Sequence, residues 1–230
     1  MIGVSIVNND SEYDECNFAS LTYVALGDSI TYGANPFVPN SRVRFPYPDL
    51  VEIELLLYNS VNCGISGSTV ATGANSYYPM VERYADMPHG DIISVLGGVN
   101  DYFVNIPLGS LYDTDATTFY GALNTLAKGL VARYPDAFVF FMTPYNCRWG
   151  DSPNANGNTL KQFVNAVKEV CAINGLPCLD MYCLGNFEME MHSDLSDGVH
   201  PSQSFFRDYT APQIAQFIRN NYGKQNPTTN

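Results

Sequence analysis

The chain has 230 residues, 46% hydrophobic and 15% charged, enough for one self-sufficient core without disulfide or metal staples. Its net charge of −12 and pI near 4.4 argue against nucleic acid or an anionic membrane as partner, since both repel an acidic surface. No apolar run approaches the roughly 20 residues of a membrane-spanning helix, so no membrane insertion is expected.

Residues 1–20 are expected to form an N-terminal extension or an edge strand. Their opening, "MIGVSIVNNDSEYDE", lacks the basic start of a signal peptide; secretion and compartment stay open. The first strand is expected at 21–26, "LTYVAL", and a helix follows at "YPDLVEIELLL". Further strands are expected at 57–62, 91–97, 137–143 and 176–181. All are short and continuously apolar, as in a sheet covered on both faces. The stretch "DATTFYGALNTLAKGLVARYP" spaces Phe119, Leu123, Leu126 and Leu130 at helical intervals, with Asp115 as the expected N-cap. "NTLKQFVNAVKEVCAING" repeats that spacing and stops at Gly175, and a last helix is expected over 204–222. Strand-helix alternation implies an α/β domain over 21–223: a parallel sheet of about five strands between two helical layers. Residues 224–230 read as a disordered tail.

Six scattered cysteines show no zinc-site spacing; most are expected to be buried thiols, with one disulfide left open.

Sites in open α/β sheets form beyond the carboxyl ends of the strands. At those ends lie Gly27-Asp28-Ser29, then "NCGISGST" (62–69), "GGVND" (97–101) and "DLSDGVHP" (194–201). Ser29 would need a base to act as a nucleophile. His89 lies in the turn entering the third strand, at the wrong edge, and His192 has no clear placement. His200 follows Asp197 by three residues, so one loop can present imidazole and carboxylate together, as in a catalytic triad. Asp194 is the rival carboxylate. The backbone N–H groups of Ser29 and Gly67 and the side-chain amide of Asn100 are natural oxyanion donors.

"GDSIT", "SGST", "GGVND" and "DGVHP" together resemble the four sequence blocks of the SGNH hydrolases, also called the GDSL family, over roughly 21–222. The resemblance implies a flavodoxin-like α/β/α fold and ester or thioester cleavage. It also implies Ser29 as nucleophile, Asp197 and His200 as its partners, and Gly67 and Asn100 as oxyanion donors. Ile30 stands where the family name has leucine, a hydrophobic neighbour that changes little. The G-x-S-x-G elbow of the other large hydrolase class is missing, because Thr31 holds the second glycine's place.

Each residue also has a plainer reading: Ser29 as a turn serine, Ser66 and Ser68 as turn caps, Asn100 as a loop brace, His200 as a surface histidine. Asp28 and Asp101 read as loop-bracing acids. Phe37, Tyr77, Tyr78, Tyr102, Phe103 and Trp149 lie in or near the loops expected to border the site, where ordinary loop packing is the plainer reading; Tyr102 and Trp149 are the candidates for substrate contact, and Arg148 could hold an acidic substituent. The expected activity is hydrolysis of short-acyl esters, acetyl on carbohydrate first, with no cofactor and no metal. Acyl thioesterase or lysophospholipase activity is the alternative. A glycan-binding module without catalysis is the alternative of another class. The oligomeric state is left open.

Overall fold

The computed structural model describes residues 17–183 and 197–224. A single 3-10 turn at Phe18–Ser20 precedes the sheet, and Phe18 packs on Tyr222 with ring centroids 5.6 Å apart. The described part of the N-terminal extension therefore adds no strand. Strand β1 (Thr22–Gly27) leads into a one-turn helix, α1 (Ser29–Tyr32), and then α2 (Tyr47–Leu55). Next come β2 (Asn59–Gly64), α3 (Met80–Arg83), β3 (Ile92–Leu96), α4 (Val99–Phe103), α5 (Phe119–Arg133) and β4 (Phe138–Met142). The chain continues through α6 (Leu160–Asn174), β5 (Cys178–Leu179), α7 (Gln203–Phe205) and α8 (Ala211–Asn221).

The five strands are parallel, in the order β2-β1-β3-β4-β5. Helices α2 and α8 pack together, and so do α5 and α6, as the helical layers flanking the sheet. The strands β1, β3 and β4 are buried almost throughout, which explains their unbroken apolar sequence. Between sheet and helices lies a core rich in rings, including Tyr23, Tyr47, Phe119, Phe140, Phe163 and Phe206. The buried Tyr23 hydroxyl is satisfied by Ser94 Oγ at 2.6 Å. No helix among the described residues is long and apolar enough to cross a membrane.

Several local expectations shift. Helix α5 is capped by Thr118, whose side chain accepts from the Gly121 N–H; Asp115 instead braces the preceding turn by accepting from Thr117 N–H. Strand β2 begins two residues later than expected, because the α2 helix ends on a left-handed Leu56 (φ 53°) and the chain needs Leu57 and Tyr58 to reach the sheet. The last helix is split by a π-turn over Phe206–Thr210, where Pro212 just beyond supplies no N–H to the ladder. None of the five described cysteines forms a disulfide, and only Cys147 and Cys171 are buried. His192, Asp194, Cys16 and the tail beyond Lys224 lie outside the described residues.

Candidate active site

The parallel register brings the glycines that end β1 and β2, Gly27 and Gly64, side by side. Beyond Gly27 the chain turns at once into α1. Asp28 is the N-cap: its Oδ1 accepts from the Ile30 N–H at 2.9 Å, which makes Ser29 the first helical residue. The Ser29 carbonyl accepts from both Gly33 and Ala34 N–H groups at 2.9 Å, so the serine backbone is held on both sides. Its side chain is nearly buried, with one opening into a cleft of about 780 Å³.

His200 lines the same cleft and reaches Ser29. Its Nε2 lies 2.8 Å from Ser29 Oγ, and its Nδ1 lies 2.6 Å from Asp197 Oδ2. With the proton on Nδ1, the ring donates to the carboxylate and accepts from the serine hydroxyl. The other Asp197 oxygen accepts the backbone N–H groups of Val199 and His200, at 2.9 and 2.8 Å. Partial burial acts to raise the Asp197 pKa, but these hydrogen bonds and the imidazole outweigh it and hold the carboxyl below its ordinary range. The loop is docked from outside: Arg148 N–H donates to the Gly198 carbonyl at 2.9 Å, and Ser202 caps α7 directly after it.

Gly67 and Asn100 line the same cleft as Ser29 and His200. Gly67 has φ +79°, a left-handed conformation that glycine adopts freely. Asn100, in the first turn of α4, uses one amide hydrogen on the Ser68 carbonyl at 2.9 Å and keeps the other for the cleft. No acceptor for the Ser29 or Gly67 N–H is found among the described residues.

Two buried acids stand behind these groups. Asp101 accepts from the Val70 and Ala71 N–H groups, bracing the loop beyond Gly67. Burial raises its pKa to about 7 against the pull of those bonds. Burial likewise raises Asp28 to about 6, opposed by the Ile30 N–H and by the charges of His200 and Arg83, and Asp28 Oδ2 has no hydrogen-bond partner among the described residues.

The aromatic expectations need correction. Tyr102 is only 3% exposed and does not line the cleft; its hydroxyl donates to the Trp149 and Ser152 carbonyls, tying α4 to the 149–152 turn. Trp149 is 44% exposed and is not among the residues lining the cleft; its ring meets Phe103 edge-on at 6.2 Å and lies against Gly198 of the catalytic loop. The Arg148 guanidinium lies over the Trp149 ring. Tyr32, Tyr77 and Phe103 supply the cleft's aromatic wall, and Asn35, Asn40, Ser41 and Ser66 supply polar groups. Sequence reasoning missed Tyr32, which ends the one-turn helix α1, and the polar residues of the 35–41 lip beyond it, because a helix of one turn leaves no periodic signal. Of the rival serines, Ser68 is buried and donates to the Tyr78 carbonyl. His89 packs on Tyr134 before β3, at the opposite edge of the sheet.

Comparison with known proteins agrees with this architecture. The model of the GDSL-like Lipase/Acylhydrolase family matches residues 25–205. A solved protein from Lactobacillus plantarum is 29% identical with a TM-score of 0.76, covering 89% of this chain and 99% of that one. A possible lipase from Chitinophaga pinensis is 23% identical with a TM-score of 0.68, covering 87% and 98%. A carbohydrate acetylesterase family member from Sinorhizobium meliloti is 16% identical with a TM-score of 0.63, covering 88% and 99%. The last two likenesses concern the fold. No curated protein matches the chain. With its family model matched from β1 through α7, the chain belongs to the GDSL-like Lipase/Acylhydrolase family and is a carboxylic ester hydrolase.

Proposed function

We propose that Ser29, His200 and Asp197 carry out ester hydrolysis through an acyl-enzyme, and that acetyl groups on carbohydrate are the substrate. The observation that carries the mechanism is the unbroken line of hydrogen bonds from Ser29 Oγ through the imidazole to Asp197. As Ser29 Oγ attacks the ester carbonyl carbon, its proton passes to His200 Nε2, and Asp197 stabilises the imidazolium. The carbonyl oxygen becomes an oxyanion facing the Ser29 N–H, the Gly67 N–H and the free Asn100 amide hydrogen. Collapse breaks the bond to the leaving alcohol, which takes the proton from His200. Water then repeats the sequence against the acyl-enzyme, releases the acid and restores Ser29. General-base help of this kind contributes roughly 10²–10⁴ in rate.

Rings and polar groups side by side in the cleft support the sugar reading. Tyr32, Tyr77 and Phe103 offer ring faces and edges, while Asn35, Asn40, Ser41 and Ser66 offer hydrogen bonds.

Hydrolysis of p-nitrophenyl esters from acetate to palmitate, with Ser29→Ala alongside, tests both parts. The expected result is fastest turnover of acetate, loss of activity in the variant, and acetate release from acetylated glycans. A long-chain optimum would replace this reading with lysophospholipase or thioesterase activity. Equal inactivity of both proteins on esters and acetylated glycans would favour a glycan-binding module.

A further inference from the structure

Arg83, the last residue of α3, is not among the residues singled out by sequence. Its guanidinium lies under the carboxyl edge of the sheet. Nη2 donates to the Gly27 carbonyl at 2.6 Å and to Ser68 Oγ at 3.0 Å. Nη1 donates to the Cys63 carbonyl at 2.6 Å, and Nε to the Tyr78 carbonyl at 3.2 Å. Four hydrogen bonds thus draw on the five donors of one planar cation. No carboxylate lies within ion-pair distance of it among the described residues. The cation is therefore spent almost entirely on neutral oxygens, an arrangement that fixes geometry more than it neutralises charge.

Three of the four acceptors belong to segments carrying part of the hydrolytic machinery. Gly27 is two residues before Ser29. Cys63 and Gly64 lead into the loop that presents Gly67. Ser68 adjoins Gly67, and its carbonyl is the acceptor that orients the Asn100 amide. Ser68 Oγ in turn donates to Tyr78, another of the arginine's acceptors, which closes the network. The guanidinium is not among the groups that line the cleft. Lysine could not replace it, because an ammonium offers its donors from one point instead of a planar fork.

We infer that Arg83 is a positioning residue for ester hydrolysis: its guanidinium holds the Ser29 turn and the Gly67–Ser68 loop, and through Ser68 the Asn100 amide, at the spacing the oxyanion requires. The inference rests on the proposed roles of Ser29, Gly67 and Asn100. Burial pulls the Arg83 pKa down, yet an arginine side chain stays charged at any pH the protein would meet. Loss of the clamp would let the two sides of the oxyanion site drift. A misplacement of about 1 Å costs on the order of 10² in rate.

The test is turnover of p-nitrophenyl acetate by wild type, Arg83→Gln, Arg83→Lys and Arg83→Ala, with thermal unfolding of each and Ser29→Ala as the inactive control. The expected result for Arg83→Gln is a fall in kcat of about 10²-fold with KM changed by less than about threefold. Arg83→Lys is expected to recover only a small part of kcat. Added methylguanidinium is expected to restore turnover in Arg83→Ala, because it refills the fork. Should Arg83→Ala fail to fold, the kcat loss of a folded Arg83→Lys carries the inference. A folded variant with wild-type kcat overturns it. So does a loss that merely follows the folded fraction and is not rescued by methylguanidinium. Inactivity of wild type and Ser29→Ala alike, on acetylated glycans as well as on p-nitrophenyl esters, would overturn the proposed function itself, and the positioning role with it.

Discussion

The main chain of Gly64 lies flat against that of Tyr32: a methyl group on Gly64 would meet the Tyr32 nitrogen at 2.2 Å and the Thr31 carbonyl carbon at 2.7 Å. The last residue of β2 is thus the floor on which the helix bearing Ser29 sits. Asn62, two residues earlier, ties the same helix by donating to the Thr31 carbonyl at 2.7 Å. Because both contacts at Gly64 are with backbone, no side chain can rotate away to make room. Gly64→Ala is expected to lower stability by about 1–3 kcal/mol and to cut kcat at least tenfold as α1 shifts. Urea unfolding and ester turnover read the two effects; an unchanged midpoint and kcat would show that α1 does not depend on this contact.

Asn100→Ala removes one neutral oxyanion donor and leaves Ser29 and His200 in contact. Turnover is expected to fall by about 10²–10³ with little change in KM. The lost bond to the Ser68 carbonyl should cost stability about 1 kcal/mol. Steady-state kinetics on acetate esters checks the split, and a KM effect alone would assign Asn100 to ground-state binding.

The buried acids predict an unusual pH dependence of stability. Burial raises Asp28 from 3.8 to about 6 and Asp101 from 3.8 to about 7, so the folded state keeps protons that the unfolded state releases. Stability contributed by these groups is therefore largest below about pH 4 and falls as pH rises to about 6 and 7. Asp49, also raised by burial, acts in the same direction. Asp197 and Asp180, held low, work oppositely, but only in acid near and below their ordinary range. For Asp28 the rise to about 6 corresponds to on the order of 3 kcal/mol at neutral pH. Asp28→Asn keeps an oxygen to cap Ile30 and is expected to flatten the decline between pH 4 and 6. Urea midpoints measured across that range would contradict the account if both proteins showed the same slope.

Substrate contacts should divide between Tyr77 and Tyr102. Tyr77→Ala removes a ring from the cleft wall and is expected to raise KM for an acetylated glycan several-fold while sparing p-nitrophenyl acetate. Tyr102→Phe removes a hydroxyl that two carbonyls share, costing about 1–2 kcal/mol of stability with neither KM affected. Parallel kinetics on the two substrates and thermal unfolding decide this, and a KM effect for Tyr102→Phe would return that residue to the binding surface.

The central strands and the long helices were legible because burial on both faces, or on one helical face, imposes a continuous or a periodic apolar pattern. The buried runs of β1, β3 and β4 and the spacing along α5 and α6 are of that kind. The four polar segments at strand ends were legible too, since a parallel sheet gathers its carboxyl ends at one edge whatever the detailed packing. Local terms that depend on neighbours were not. Thr118 replaced Asp115 as the α5 cap, and β2 began beyond a left-handed Leu56. Tyr102 stands in a site loop in sequence, yet packing turned it inward; Tyr77 and Phe103 of the same expected group do line the cleft, and Tyr32 joins them unannounced. Arg83 is the clearest case. A single arginine carries no pattern, and its meaning comes from carbonyls at positions 27 and 63, which are distant in sequence and adjacent only once β1, β2 and α3 have packed. Patterns repeated along the chain announce themselves in sequence, whereas hydrogen bonds between distant segments exist only after the fold has set their distances.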